Sequence, residues 1–334
     1  MTSGGQTAAR VLIGVVGFGQ TGDALQVLQD RGLALVLNPT GATLTEGALL
    51  ELIDDVDAVI AGTEPITARV LAAAPRLRIV ARRGVGFDSV DLVAATARGV
   101  VVTVTTGVLT DAVADHALTL LLAVARQITR FDRLVKAGGW ERTPSLEVSG
   151  RTLGIVGFGA IGRAVARRGA GFSMRLLAYD PVPYPAAAKA LGVELCDLDT
   201  LLAASDFVTL HVPLGLNTRG LIGESALRRM KPTAVLINTS RGGVVDEAAL
   251  TKALRERRLA GAGLDVFDGE PRPNPALVQL ENVVATPHVA SYTSDTLARM
   301  DRSCVEAVLA VLAGERPAHV ANSDVYARRT PPSR

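Results

Sequence analysis

Residues Leu153–Gly162 read LGIVGFGAIG, and Leu176-Leu177-Ala178-Tyr179-Asp180 follows a short distance on. The spacing Gly157-x-Gly159-x-x-Gly162 lies between an apolar, β-favouring run and the helix-forming stretch Arg163–Arg168. That order predicts a strand over Thr152–Val156, a tight glycine turn and a helix opening at Gly162. Glycines let the backbone approach a pyrophosphate, whose charge is met by the amides of Ala160 and Ile161 at the helix N-terminus. Asp180 closes the next strand about twenty residues on, where a carboxylate binds both ribose hydroxyls and repels a 2′-phosphate. Pro181-Val182 offers no arginine to reverse that preference. The stretch therefore predicts a dinucleotide site that takes NAD rather than NADP.

Outward from this unit the pattern repeats. Apolar runs at Leu153–Val156, Arg175–Tyr179, Phe207–Leu210, Ala234–Asn238, Gly261–Leu264 and Val283–Ala285 alternate with helical stretches. An earlier series, Val11–Val16, Ala34–Leu37, Ala58–Ala61, Ile79–Ala81 and Val100–Val104, alternates with helix candidates Gly22–Arg31, Glu46–Leu52, Ala68–Ala74 and Leu92–Arg98. Such βα alternation predicts two doubly wound parallel sheets. One long helix, Asp111–Ala137, apolar nearly all round, is expected to be buried between them. A last helix, Thr293–Ala313, stops at Gly314 with Pro317 beyond. The ends, Met1–Ala9 and Ser323–Arg334, are polar and expected to fray.

A second glycine pattern, Gly17-Phe18-Gly19-Gln20-Thr21-Gly22, fails the same test. The strand after it ends in Asn38-Pro39 without an acid, so it is expected to be a tight strand-to-helix turn and not a nucleotide site.

Composition narrows the function. The chain has 334 residues, 48% apolar and 20% charged, which suits two globular domains. Net charge is +2 with scattered arginines, so no stripe for nucleic acid is expected. The apolar run Ala117–Ala125 is too short to span a membrane, and Val11–Gly19 after the lone Arg10 reads as a first strand, not a signal segment. Cys196 and Cys304 form no disulfide framework or C-x-x-C spacing, consistent with a reducing cytoplasm. His116, His211, His288 and His319 form no ligand pair, so no metal is expected.

Three residues follow the fingerprint, each at a predicted strand end, where α/β sheets place ligands. Arg241 follows Val235–Ser240, Glu270 follows Leu264–Gly269, and His288 follows Ala285-Thr286-Pro287. Arginine matches a carboxylate with a planar fork. Histidine exchanges a proton near neutral pH, and a glutamate beside it favours the imidazolium. Together they suit hydride transfer between nicotinamide and a 2-hydroxy or 2-keto acid.

The motifs Gly154–Gly162 (GIVGFGAIG), Leu236–Leu250 (LINTSRGGVVDEAAL), Leu264–Pro271 (LDVFDGEP) and Thr286–His288 (TPH) resemble the D-isomer-specific 2-hydroxyacid dehydrogenase family, in particular its phosphoglycerate-dehydrogenase-like branch. The resemblance runs from about Val11 to Asn322. It implies Arg241, Glu270 and His288 as the catalytic group, and a Rossmann-type NAD domain, 108–290, inserted into a flavodoxin-like substrate domain, 1–107 and 291–334. It places Gly157, Gly159, Ala160, Ile161, Gly162, Asp180, Val113, Pro213, Thr218, Thr239 and Asp265 at the cofactor, with Asp265 near the carboxamide and His211 lining its cleft. The loop Arg83–Asp88 corresponds to the substrate loop, where the amides of Val85 and Gly86 hold a small anionic acid, with Arg82 or Arg83 as the neighbouring cation that assists. A cleft that closes on the cofactor and a cytoplasmic homodimer, joined through the cofactor domains, are also implied.

Some positions depart from the family. Asp115 in Ala114-Asp115-His116 stands for the usual glutamate, and Ser89 for the usual asparagine. Ala61 stands where phosphoglycerate dehydrogenases carry an arginine for the substrate phosphate, and Val85 where phosphite dehydrogenases carry a lysine. Neither phosphoglycerate nor phosphite is therefore the expected substrate. NAD-sensing transcriptional corepressors of the same fold keep the three catalytic residues and are the alternative reading. They usually carry long extensions, which this sequence is expected to lack.

Overall fold

The computed structural model describes residues 8–327. The chain divides into two compact units, one holding the described residues of Met1–Leu109 and Thr293–Arg334, the other Thr110–Tyr292.

In the first unit, strands β1 (Arg10–Ile13), β2 (Ala34–Leu37), β3 (Ala58–Ala61), β4 (Ile79–Arg82) and β5 (Val101–Thr103) form a parallel sheet in the order 2-1-3-4-5. This is the flavodoxin-like order. β3 and β4 are buried along their whole length, as strands with helices on both faces must be, which is why they read as unbroken apolar runs. One face packs Leu12, Val59, Val80 and Val102 beneath Leu49 and Val70. The other packs Val11, Ile13, Ile60 and Ala81 beneath Cys304, Val305, Val308 and Val311 of helix Ser294–Leu312. That helix is capped by Thr293, whose Oγ1 accepts from the Thr296 amide at 3.2 Å. Its last carbonyls, Val311 and Leu312, accept from the Arg78 guanidinium at 2.7 and 3.1 Å.

Two expectations about this unit change. The first strand ends at Ile13, because Gly14 and Val15 both turn to the Ile60 carbonyl and leave the ladder. The segment from Ser323 does not fray: Ser323–Val325 is a 3-10 turn with Val325 fully buried. Asn322 anchors it by accepting from Val102 N at 2.8 Å and donating to Val100 O at 2.9 Å. The rest of the expected frayed ends, residues 1–7 and 328–334, lies outside the described residues.

The second unit has seven parallel strands: β6 (Thr152–Val156), β7 (Arg175–Tyr179), β8 (Val193–Leu195), β9 (Phe207–Leu210), β10 (Val235–Asn238), β11 (Gly261–Leu264) and β12 (Val283–Ala285). Their order is 12-11-10-9-6-7-8. The chain reverses direction across the sheet between β6 and β9, the switch point where doubly wound sheets bind ligands. β8, at the sheet edge, escapes a pattern reading because its centre is the exposed Glu194 and it forms no apolar run.

The long helix expected over 111–137 is two helices, Thr110–Ala125 and Ile128–Lys136. Gln127 breaks it at φ 51°, with its side chain donating to Pro144 O at 3.0 Å. Ala114, Ala117, Leu118 and Leu121 of the first helix pack in the core with Leu153, Ile155 and Ile237. The second helix buries no residue; the all-round apolar pattern stops at Ala125, and the helix stops with it.

Candidate active site

The glycine turn after β6 is built so that side chains cannot fill it. Gly157 has φ +94°, and a Cβ there would meet the His211 carbonyl carbon at 2.7 Å. A Cβ on Gly162 would meet Gly157 O at 2.1 Å, so helix Ala160–Gly171 starts hard against the turn. Gly159 has open space where its Cβ would be. The amides of Gly159, Ala160 and Ile161 have no acceptor among the described residues, as expected of a helix start awaiting an anion. Asp180 lies beside them, its Oδ2 accepting from Phe158 N at 2.7 Å and its Oδ1 from Val182 N at 2.9 Å. A dinucleotide fits this cradle: three unpaired amides, room in front of them and a carboxylate at the end of β7.

The remaining residues expected at the cofactor divide by what they already bind. Thr239 is buried with its Oγ1 unpartnered among the described residues, a hydroxyl free to meet a ligand. Val113 is buried on helix Thr110–Ala125, and Pro213 is exposed after β9. Thr218 builds its own loop: its hydroxyl donates to Pro213 O at 2.6 Å and accepts from Gly215 N at 2.8 Å. His211 pairs through Nε2 with Thr209 Oγ1 at 2.8 Å, and burial pushes its pKa down to about 3. It is neutral at physiological pH and lines the glycine turn.

Arg241, Glu270 and His288 follow β10, β11 and β12 in turn. His288 takes φ 54°, unusual for a side-chain-bearing residue. Its amide donates to Asp265 O at 2.8 Å and to Thr286 O at 3.1 Å. Its Nδ1 is 2.7 Å from Glu270 Oε2, and Glu270 Oε1 accepts from Phe267 N at 2.9 Å. Burial raises the Glu270 pKa, but the bond and charge of His288, the Phe267 amide and the Arg241 charge outweigh it, and the net shift is downward. Glu270 is therefore a carboxylate at neutral pH, and it fixes the imidazole with Nδ1–H donating.

Sequence reasoning missed what holds these residues. Gly242 is one: a Cβ there would lie 2.0 Å from the Phe267 carbonyl carbon and 2.2 Å from Asp268 N. Only glycine lets the Arg241 loop press onto the backbone that leads to Glu270. Asn238 is another, donating to Arg241 O at 2.9 Å and accepting from Ser240 N at 3.0 Å. Asp265, wholly buried, accepts from Thr286 Oγ1 at 2.6 Å, Val289 N at 2.9 Å and Ala290 N at 2.8 Å. His116 joins this cluster, with Nε2 3.0 Å from Thr286 Oγ1. Burial raises the Asp265 pKa, yet the bonds from His116, Thr286 and the two amides carry it downward overall. Asp265, expected at the nicotinamide carboxamide, also anchors the loop that carries His288. The one sequence signal was the small polar Thr286 ahead of Pro287-His288.

In the other unit, the loop after β4 presents the amides of Val85 and Gly86 without an acceptor among the described residues. Its carbonyls are held instead: Gly84 O accepts from Thr105 N and Gly86 O from Arg82 Nε, both at 2.9 Å. Arg82, expected to touch substrate, is only 5% exposed and braces the loop. The decoy reading of the first glycine pattern also gains a physical reason. Gly19 N donates to Asp301 Oδ2 at 2.8 Å, so a protein carboxylate occupies the amide that a phosphate would need.

Among the described residues, no three His, Cys, Asp or Glu side chains are placed to hold a metal ion. No helix among them is long and apolar enough to cross a membrane.

A dinucleotide cradle and an imidazole–carboxylate pair on one parallel sheet define a nicotinamide-dependent oxidoreductase. Residues 118–290 match the family described as D-isomer specific 2-hydroxyacid dehydrogenase, NAD binding domain. Glyoxylate reductase of Korarchaeum cryptofilum is 50% identical over 291 residues, covering 85% of this chain and 88% of that one. Glyoxylate reductase of Thermococcus litoralis is 45% identical over 295 residues, covering 85% and 89%. The TT0316 protein of Thermus thermophilus superposes with a TM-score of 0.87 at 40% identity, covering 93% and 99%. The chain belongs to the D-isomer-specific 2-hydroxyacid dehydrogenase family, with NAD as cofactor and CH–OH donors as its substrates. These relatives lend nothing to the corepressor alternative.

Proposed function

We propose that this enzyme interconverts glyoxylate and glycolate, with NAD(H) preferred over NADP(H). The names of the two archaeal relatives support the substrate, and Asp180 beside the glycine turn supports the cofactor preference. The observation that carries the mechanism is the 2.7 Å pair of His288 Nδ1 and Glu270 Oε2.

Bound nicotinamide supplies or accepts the hydride at C2 of the acid. The amides of Gly159, Ala160 and Ile161 would hold the dinucleotide's pyrophosphate, and the unpartnered hydroxyl of Thr239 would serve the same cofactor. With Nδ1–H committed to Glu270, His288 gives the proton on Nε2 to the keto oxygen during reduction and removes it during oxidation. The Glu270 carboxylate fixes the ring by accepting from Nδ1–H. Arg241 polarises the keto oxygen and orients the carboxylate. The amides of Val85 and Gly86, with no acceptor among the described residues, are suited to the carboxylate of a small acid, and Arg82 braces their loop.

Exposed apolar side chains at Ile128, Val135 and Trp140 support a homodimer joined through the NAD-binding unit. Two unpaired cysteines, Cys196 and Cys304, support a cytoplasmic setting.

The role of His288 is tested by His288→Asn. Asparagine keeps a polar group but cannot carry the proton, so kcat should fall at least about a hundredfold with NADH binding unchanged. Near-parental turnover would overturn the assignment.

A further inference from the structure

The first glycine pattern, set aside as a nucleotide site, binds an anion that the chain itself supplies. Gly17 and Gly19 both take φ +74°, and the turn they form directs Gly19 N to Asp301 Oδ2 at 2.8 Å. The other oxygen, Asp301 Oδ1, lies 2.5 Å from Arg83 Nε. Both side chains are almost fully buried, 1% and 2% exposed. Arg83 also reaches the Val16 carbonyl with Nη1 at 3.5 Å, and its own amide donates to Ala61 O at 2.9 Å.

These contacts join four segments at the carboxyl ends of one sheet: the turn after β1, the end of β3, the loop after β4 and helix Ser294–Leu312. Arg83 immediately precedes Gly84-Val85-Gly86. Its backbone therefore sets where that loop departs, while Arg82 and Thr105 set its later course through Gly86 O and Gly84 O. A buried ion pair contributes little net stability compared with apolar residues of similar size. What it supplies here is an electrostatic restraint on a glycine-containing loop that would otherwise have several conformations open to it.

We infer that the Arg83–Asp301–Gly19 clasp is a positioning device for substrate binding, holding the Val85 and Gly86 amides in the geometry that receives the acid's carboxylate. This rests on the proposed role of that loop. Arg83 acts through the loop and does not touch substrate, since its side chain is enclosed.

Single removal of Arg83 or Asp301 strands a buried charge and risks unfolding. The test is therefore the double variant Arg83→Met/Asp301→Asn, which is neutral and keeps an acceptor for Gly19. It is read beside Val85→Pro, which deletes one of the two loop amides. Each is measured for Tm, NADH affinity by fluorescence, and kcat and KM for glyoxylate. The clasp predicts that the double variant keeps Tm and NADH affinity, keeps kcat within about threefold, and raises KM at least about tenfold. Val85→Pro should raise KM as well. If Val85→Pro raises KM while the folded double variant does not, the clasp is structural only and the inference fails alone. If neither changes KM, the loop does not hold substrate, and both readings fall. A double variant that loses kcat and KM performance together with Tm also overturns it, because a purely structural pair behaves that way.

Discussion

His288 shows how much chemistry one residue takes from its neighbours. Its φ of 54° is strained for a side-chain-bearing residue and persists because Asp265 O, Thr286 O and Glu270 Oε2 all hold it. The pair also makes stability depend on pH. Glu270 titrates below its ordinary value in the folded enzyme, so its contribution is full above the unfolded value of about 4.3. It is lost as pH falls through the lower folded value. Urea unfolding of the parent and of Glu270→Gln should therefore differ near pH 6, and the difference should shrink as the pH falls below the unfolded value of about 4.3. A difference that persists unchanged into acid would contradict the carboxylate's role. At this scale the sequence displayed the proposed reacting groups, Arg241, Glu270 and His288, because their chemistry is unusual after a strand. It hid Asp265 and Asn238 as anchors, because a buried carboxylate bound by backbone amides has no signature of its own in one sequence.

Among elements, the strands that build the sheets were legible because burial on both faces demands continuous apolar runs. β8 was not, since its three residues, Val193-Glu194-Leu195, carry an exposed glutamate at the centre and form no apolar run. The helix break at Gln127 was not either, because a left-handed residue other than glycine carries no local marker. The loops after β10 and β11 are the element-scale determinant of the site. They approach so closely that a Cβ on Gly242 would sit 2.0 Å from the Phe267 carbonyl carbon. Gly242→Ala must therefore push the Arg241 loop away from the Glu270 loop. It is expected to cost about 1–3 kcal/mol of stability and to lower kcat/KM for the keto acid more than it lowers NADH affinity. Parental kinetics in this variant would mean that the two loops need not meet for catalysis.

At the scale of the whole molecule, two parallel sheets of different strand order share one chain, with Thr110–Tyr292 lying in sequence between the two parts of the other unit. The glycine fingerprint in mid-chain made that legible, since it begins a second βα series after five strands are complete. The other copy of the fingerprint, near the start of the chain, was set aside for lack of an acid, and the carboxylate that meets its Gly19 amide, Asp301, stands 282 residues away in sequence. Only the fold brings such partners together. Substrate identity was less legible still: absent features argued against phosphate-bearing and phosphite substrates, and glyoxylate enters from the relatives.

The most direct test of the whole account is turnover of purified enzyme with glyoxylate, followed as NADH oxidation and compared with NADPH. Hydroxypyruvate, pyruvate, phenylpyruvate and phosphohydroxypyruvate are run in parallel. Rapid reduction of glyoxylate is predicted, with kcat/KM at least about tenfold higher for NADH than for NADPH, given the Asp180 carboxylate. Preference for NADPH would contradict the cofactor argument, and no turnover of glyoxylate while NADH still binds would contradict the proposed substrate.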